Sequence, residues 1–261
     1  MRILLTNDDG IGAPGIRALQ DALIQAGHEI IMIAPDRERS AASHSLTLRR
    51  DLRANRLAEN EYSIDGTPVD CVVVAFQHII KEPVDLVISG INAGQNMGED
   101  VFYSGTVAAA LESALHGHKA IAISINSYRD QLFESAASWM VRLVGNGITD
   151  QCLPNGVLNI NVPNLPASQI RGLRVTRTGH RRYYNFIQIV SEDANGFSYR
   201  IAGDHPSWEK MDNSDAQAVQ DGFISLTPLG FELTDPNSFG SLQHWIDTQN
   251  LSTIQETAHA F

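Results

Sequence analysis

Four short apolar runs, each bounded by turn-forming residues, set the rhythm of the first half of the chain: RILLT at 2–6, EIIMIAP at 29–35, VDLVISG at 84–90 and KAIAIS at 119–124. Each is continuous rather than alternating, the pattern of strands buried on both faces in a parallel sheet covered by helices. Between them the period changes. VAAALESAL carries Val107, Ala110, Leu111, Ala114 and Leu115 at i, i+3, i+4, i+7 and i+8, which places them along one helical face. GIRALQDALIQAG at 15–27 and the segment after Pro68 read the same way. Strand alternating with helix predicts βαβ crossovers and a three-layer α/β core with a mostly parallel sheet.

Two stretches depart from this rhythm. At 45–54, SLTLRRDLRA alternates apolar with polar, and YSI follows a polar turn, which predicts an antiparallel excursion. After residue 165, YYNFIQIVSE and FSYRIAG flank DANG at 193–196 and predict a long hairpin; DGFISLTPLG at 221–230 predicts a further strand and SFGSLQHWIDTQN a helix. The hairpin, with Tyr183, Tyr184 and Phe186 near its base, has two readings: packing on a neighbouring subunit, or folding back on its own core.

Composition narrows the class. A chain of 261 residues is long enough to bury roughly three quarters of its unfolded surface without disulfides. The N-terminus turns acidic at Asp8, too early for the apolar region of a signal peptide, and no apolar run reaches the roughly 18 residues of a membrane span, so a cytoplasmic location is expected. Cys71 and Cys152 lack C-x-x-C spacing, which argues against a zinc or redox pair. Nineteen basic against thirty acidic residues give a net charge of −11, unfavourable for nucleic-acid duplexes or anionic membranes. An anionic substrate therefore needs a local positive centre.

The candidate chemistry begins at LLTNDDG, where Asp8 and Asp9 repel one another at the carboxyl end of the first strand. Asn7 and Gly10 are turn residues that take the chain out of the sheet. Open α/β sheets bind ligands at that edge. A divalent cation would turn the repelling pair into a hard oxygen site; the plainer reading is an Asx-turn or helix cap using one Asp, the other solvated. Two more loops emerge at the same edge, APDRERSAASHS and SGINAGQNMGEDVFYSGT. They bring Ser40, Ser43, His44, Asn92, Asn96, Ser104 and Thr106. Ser104-Gly105-Thr106 opens the clearest helix, so its amides and hydroxyls can cradle an anion; a plain N-cap uses the same atoms. GIGAPG lacks the G-x-G-x-x-G register and implies no dinucleotide. Pro68 and Asp70 read as a helix start rather than as chemistry. Arg177, Arg181 and Arg182 form a basic run that is either solvated or attractive to polyphosphate.

Seven ordered motifs, LLTNDDG, APDRERSAASHS, SIDGTPVDC, DLVISGINAGQNMG, YSGTVAAALE, NINVP and ISLTPL, resemble the SurE (survival protein E) nucleotidases from residue 1 to about 229. The resemblance implies a metal-dependent phosphatase acting on nucleoside 5′- and 3′-monophosphates, with some exopolyphosphatase activity on short polyphosphate, working as a homodimer or homotetramer through swapped C-terminal elements. It implies metal ligands at Asp8, Asp9, Ser40 and Asn92 for one Mg²⁺ or Mn²⁺ per subunit, and phosphate contacts at Asn96 and Ser104, Gly105 and Thr106. The expected catalytic set is Asp8, Asp9, Asn96 and Ser104, with Ser43 and His44 on the substrate side. His44 is also a candidate acid for the leaving alkoxide, against a structural role, and His205 a weaker one. The expected architecture is one domain over 1–261, Rossmann-like, with a hairpin and helix extension from about 180 onward serving oligomerisation. Two rivals remain. A phosphoacceptor signalling domain needs an Asp where SGIN offers Asn92, and a non-catalytic nucleotide-binding module would release no phosphate.

Overall fold

All four apolar runs become neighbouring parallel strands because helices cover them on both sides. The computed structural model describes residues 1–182, 187–201, 207–249 and 251. Its strands are β1 (Arg2–Thr6), β2 (Glu29–Pro35), β3 (Ala54–Ala58), β4 (Glu61–Ile64), β5 (Leu86–Ala93), β6 (Ala120–Asn126), β7 (Gly156–Pro163), β8 (Leu173–Val175), β9 (Arg181–Arg182), β10 (Ile187–Asp193), β11 (Gly196–Ile201), β12 (Ser207–Trp208) and β13 (Ile224–Gly230). Nine of them form one sheet in the order β3-β4-β2-β1-β5-β6-β7-β13-β8. From β4 to β7 every pairing is parallel, and β3 and β13 run antiparallel to their neighbours β4 and β7.

The sheet's inner positions sort by the two-residue period of a strand. Ile3, Leu5, Met32, Ile88, Ile123 and Ile160 meet α1 (Pro14–Gln25) and α4 (Phe133–Gly145), whose Leu19, Leu23 and Met140 are fully buried in the same core. The opposite face lies under α2 (Pro68–Val74), α3 (Gly105–Leu115) and α5 (Asp215–Gln220). The helix start expected at Pro68 and Asp70 is present, and a capping box closes it: Thr67 accepts from Asp70 N–H while the Asp70 carboxylate accepts from Thr67 N–H. α3 differs from its predicted stripe. Its first turns are buried nearly all round, through Ala108 and Ala109 as well as Val107 and Ala110, while Leu115 is exposed. Small side chains let the helix sink between the sheet and α2, and Leu115 sits on its last turn.

The antiparallel excursion exists, but its strands are β3 and β4 rather than SLTLRRDLRA. Residues 45–53 are held by side chains instead of a ladder: Thr47 donates its N–H and its hydroxyl to Asp70 (2.9 and 2.7 Å), and Arg50 donates to the Asp65 carbonyl (2.7 Å). The predicted hairpin forms from β10 and β11, and all of its described residues are exposed. Folding back on the core is thus excluded for 187–201. Tyr183, Tyr184, Phe186 and His205 lie outside the described residues.

Two compact units result, Met1–Gly230 and Phe231–Phe261. The second contains α6 (Phe239–Thr248), the helix expected from SFGSLQHWIDTQN. Among the described residues no helix is long and apolar enough to cross a membrane.

The topology fixes where a ligand goes. From β1 the chain builds outward through β2 and β4 on one side, then returns to add β5, β6 and β7 on the other. The order reverses between β1 and β5, and the carboxyl ends of strands at such a reversal are where open α/β sheets bind their ligands. Asp8 and Asp9 follow β1, and Asn92 and Ala93 end β5.

Candidate functional site

The turn after β1 is locked by its first residue. Asn7, fully buried, donates from Nδ2 to the Gly10 carbonyl (2.8 Å) and accepts the Gly10 N–H on Oδ1 (3.2 Å). One side chain thereby closes the Asp8–Asp9 turn from both ends. Gly10 has a φ of +100°, and a Cβ there would lie 3.0 Å from the Arg37 carbonyl carbon, so only glycine fits. The loop after β2 docks alongside, with Arg39 N–H donating to the Asp8 carbonyl (2.7 Å). That bond brings the chain at Ser40 to the same rim.

Two further crossovers arrive on the carboxylates themselves. Ala93 N–H donates to Asp9 Oδ2 (2.9 Å). Asn92 donates from Nδ2 to the Gly94 carbonyl (2.8 Å), which leaves Oδ1 as the atom it presents to a ligand. α3 arrives end-on. The Thr106 hydroxyl donates to Asp8 Oδ1, and a Cβ on Gly105 would stand 2.8 Å from Asp8 Cβ and 3.0 Å from its Oδ2.

The electrostatics of the pair are those of a site awaiting positive charge. Burial pushes the Asp8 carboxyl up to about 6, against the pull of the Thr106 hydroxyl and with the Asp9 charge adding to the rise. Burial also raises Asp9, opposed by the Ala93 N–H and reinforced by Glu38. The positive end of α3 compensates only in part. Among the described residues no group of three or more His, Cys, Asp and Glu could hold a metal ion. An ion here would rest on two carboxylates completed by the neutral oxygens of Ser40 and Asn92, an all-oxygen set that suits Mg²⁺ or Mn²⁺. Ser40 donates its proton to Glu38 Oε1 (2.6 Å), so its oxygen lone pairs stay available.

At the start of α3, Ser104 is a buried N-cap whose Oγ accepts Val107 N–H (3.0 Å). Asn96 is buried and its backbone is saturated: its N–H donates to Asn161 Oδ1 (2.8 Å), while its carbonyl accepts from Asn159 and Asn161 (2.8 and 3.0 Å). Its side-chain Nδ2 donates to Ser124 Oγ (2.8 Å). The sequence reading missed these β7 asparagines as site residues. The signal was available, since two amides at i and i+2 in a strand buried throughout need polar partners.

Ser43 and His44 are held by partners other than the carboxylate pair. Ser43 donates its hydroxyl to the Phe102 carbonyl (2.5 Å) and its N–H to the Tyr103 carbonyl (3.1 Å), stitching its loop to the segment before Ser104. His44 Nε2 meets Glu112 Oε2 at 2.8 Å, and His116 meets the other oxygen at 3.3 Å. Glu112 lies about 12 Å along the helix axis from Ser104, so this bond favours the structural role of His44 over that of leaving-group acid. His44→Ala should leave kcat within about tenfold of wild type, whereas loss of a general acid costs roughly 10²- to 10⁴-fold; steady-state phosphate release decides. The basic run is engaged too: Arg181 pairs with Asp100, Arg182 with Glu209, and Arg177 donates to the Asp212 carbonyl (3.1 Å).

With this geometry in place, comparison with known proteins is direct. Residues 3–185 match the family model described as survival protein SurE. The chain is 44% identical over 248 residues to the 5′-nucleotidase SurE of Geotalea uraniireducens, covering 94% of this chain and 99% of that protein. It is 42% identical over 255 residues to the 5′-nucleotidase SurE of Carboxydothermus hydrogenoformans, covering 94% and 96%. The crystal structure of the SurE protein from Aquifex aeolicus superimposes with a TM-score of 0.84 at 37% identity, over 94% of this chain and 99% of that one.

Proposed function

The chain belongs to the SurE family, and from that membership we propose that it is a 5′-nucleotidase, a divalent-metal-dependent hydrolase of nucleoside monophosphates. The observation that carries the reading is the meeting of three crossovers on one carboxylate pair, buried Asp8 and half-buried Asp9, through Arg39 N–H, Ala93 N–H and Thr106 Oγ1. Asp8, Asp9, Ser40 and Asn92 would hold one Mg²⁺ or Mn²⁺ per subunit, which when bound supplies Lewis-acid stabilisation of phosphoryl charge.

Hydrolysis breaks the bond from phosphorus to the ester oxygen and forms one to water, with charge spread over the phosphoryl oxygens. The first amides of α3, those of Gly105 and Thr106, and the Ser104 hydroxyl bind those oxygens, aided by the helix dipole, while the Thr106 hydroxyl keeps its proton on Asp8. Gly105 lets them approach the backbone. Asn96 offers its side-chain amide from a backbone that its β7 partners hold still. Asp9, tied by one oxygen to Ala93, has the other free to orient the attacking water and receive its proton. The reading extends to 3′-nucleotides and short polyphosphate as further substrates. It also extends to a cytoplasmic homodimer or homotetramer, for which the exposed β10–β11 hairpin offers unpaired surface.

Phosphate release from a panel of 5′- and 3′-nucleotides and polyphosphate tests this. Turnover should stop after EDTA treatment and return with Mg²⁺ or Mn²⁺. Chelator-resistant turnover would overturn the metal, and absence of release from every nucleotide would overturn the nucleotidase.

A further inference from the structure

Two segments far apart in sequence converge on one carboxylate that the proposed chemistry does not use. Asp215, fully buried, accepts Gly98 N–H on Oδ2 (2.9 Å) and both Gly179 N–H (2.8 Å) and Ala216 N–H (2.7 Å) on Oδ1. Burial raises its pKa, and the same three N–H groups oppose the rise. Burying a carboxylate is costly, and charge-assisted bonds to backbone amides are what make it tolerable. A mere cap for α5 would not require such a group, because Ser214 already caps that helix by accepting Gln217 N–H (3.2 Å).

What the carboxylate adds is a tether on the chain beside Asn96. Residues 96 to 98 are each anchored differently: Asn96 by its backbone to Asn159 and Asn161, Met97 by packing against Ala216, Val219 and Trp208, and Gly98 by its amide to Asp215. The two later anchors belong to α5 and the segment before it, outside the parallel core.

Taking Asn96 as a phosphate contact, on which this inference rests, we propose that Asp215 is a positioning residue for catalysis, fixing Asn96 against the phosphoryl group through the Gly98 amide. Asp215→Asn isolates the effect. With the amide oxygen on the Oδ1 side, the bonds from Gly179 and Ala216 survive, and the amide nitrogen then opposes Gly98 N–H, donor against donor. Only the bond to the Gly98 amide is broken.

Asp215→Asn should lower kcat/KM for a nucleoside 5′-monophosphate roughly 10- to 100-fold, the scale of a small misplacement of a catalytic group. It should also speed amide hydrogen exchange in residues 94–103 while leaving the other parallel strands protected. The decisive measurement is a double-mutant cycle with Asn96→Ala. If Asp215 acts through Asn96, Asp215→Asn adds little loss once Asn96 is gone; losses that multiply fully, or unchanged exchange at 94–103, overturn the proposal. Should Asp215→Asn fail to fold, the same cycle with Asp215→Ser, whose shorter side chain gives up the Gly98 bond, decides by the same criterion. A wild-type protein that releases no phosphate refutes the nucleotidase, and the exchange readout still judges the tether.

Discussion

Asp8→Asn is expected to abolish turnover and, in the same protein, to raise the melting temperature of the metal-free state. The two effects share one cause. Asp8 is 5% exposed and its carboxyl titrates at about 6, above the 3.8 of an ordinary aspartate. The native state therefore holds the proton more tightly than the unfolded chain. Stability falls as pH rises from about 4 to about 6 and carries the whole penalty above that. A shift of this size corresponds to about 3 kcal/mol at neutral pH. Asparagine removes the charge yet still accepts the Thr106 hydroxyl on its oxygen, so much of that penalty disappears. For a chain of this size the gain appears as roughly 2–4 °C per kcal/mol. Activity moves the other way, by on the order of 10³-fold, since one anionic ligand to the proposed ion is lost. Thermal melts in EDTA at pH 4 and pH 8, beside phosphate-release assays, check both halves: the stabilisation should be large at pH 8 and vanish at pH 4. A turn-forming aspartate of no chemical importance would give the opposite result, a loss of stability with activity retained.

That carboxylate pair was legible in the sequence because its anomaly is local: two adjacent like charges after an apolar run need no distant information to look wrong. β2 was legible for a similar reason, its predicted bounds at 29–35 matching the strand. β5 was readable only to Gly90, though the strand continues through Asn92 and Ala93, because glycine and asparagine carry the chemical signature of a loop even where the ladder continues. Across 45–53 alternation misled, since Leu46 and Leu48 are exposed and the segment is held by Asp70 and Asp65 rather than by a partner strand.

The least legible residues act at the longest range. Asp215 bonds a residue 117 positions earlier and Asn161 one 65 positions earlier, and no periodicity encodes such partners. His44 shows the complementary case. Its residue type fits a proton donor, but orientation is set by Glu112, which lies 68 positions away. Donor chemistry is written locally, whereas direction comes from the fold.

Gly105→Ala should cost most of the activity at a position where helix propensity alone favours the substitution. Alanine stabilises a helix by about 1 kcal/mol over glycine, and Gly105 is the first residue of α3. Space is what forbids it. The added Cβ would lie 2.8 Å from Asp8 Cβ, 3.0 Å from Asp8 Oδ2 and 3.1 Å from Pro68 Cγ. Pro68 is buried at the start of α2, so relief must come from Asp8 turning away or from α3 withdrawing. Either movement strains the Thr106–Asp8 hydrogen bond and separates the proposed metal site from the proposed phosphate cradle. Overpacking of this kind costs about 1–3 kcal/mol, enough to outweigh the propensity gain and lower the melting temperature by several degrees. The kinetic loss should be larger, on the order of 10²-fold in kcat/KM, because two reacting partners are displaced at once. Inhibition by inorganic phosphate should weaken in parallel, since product and substrate share the α3 amides. Wild-type kcat/KM and wild-type phosphate inhibition in Gly105→Ala would show that the helix does not press on Asp8, and the joined site would have to be abandoned.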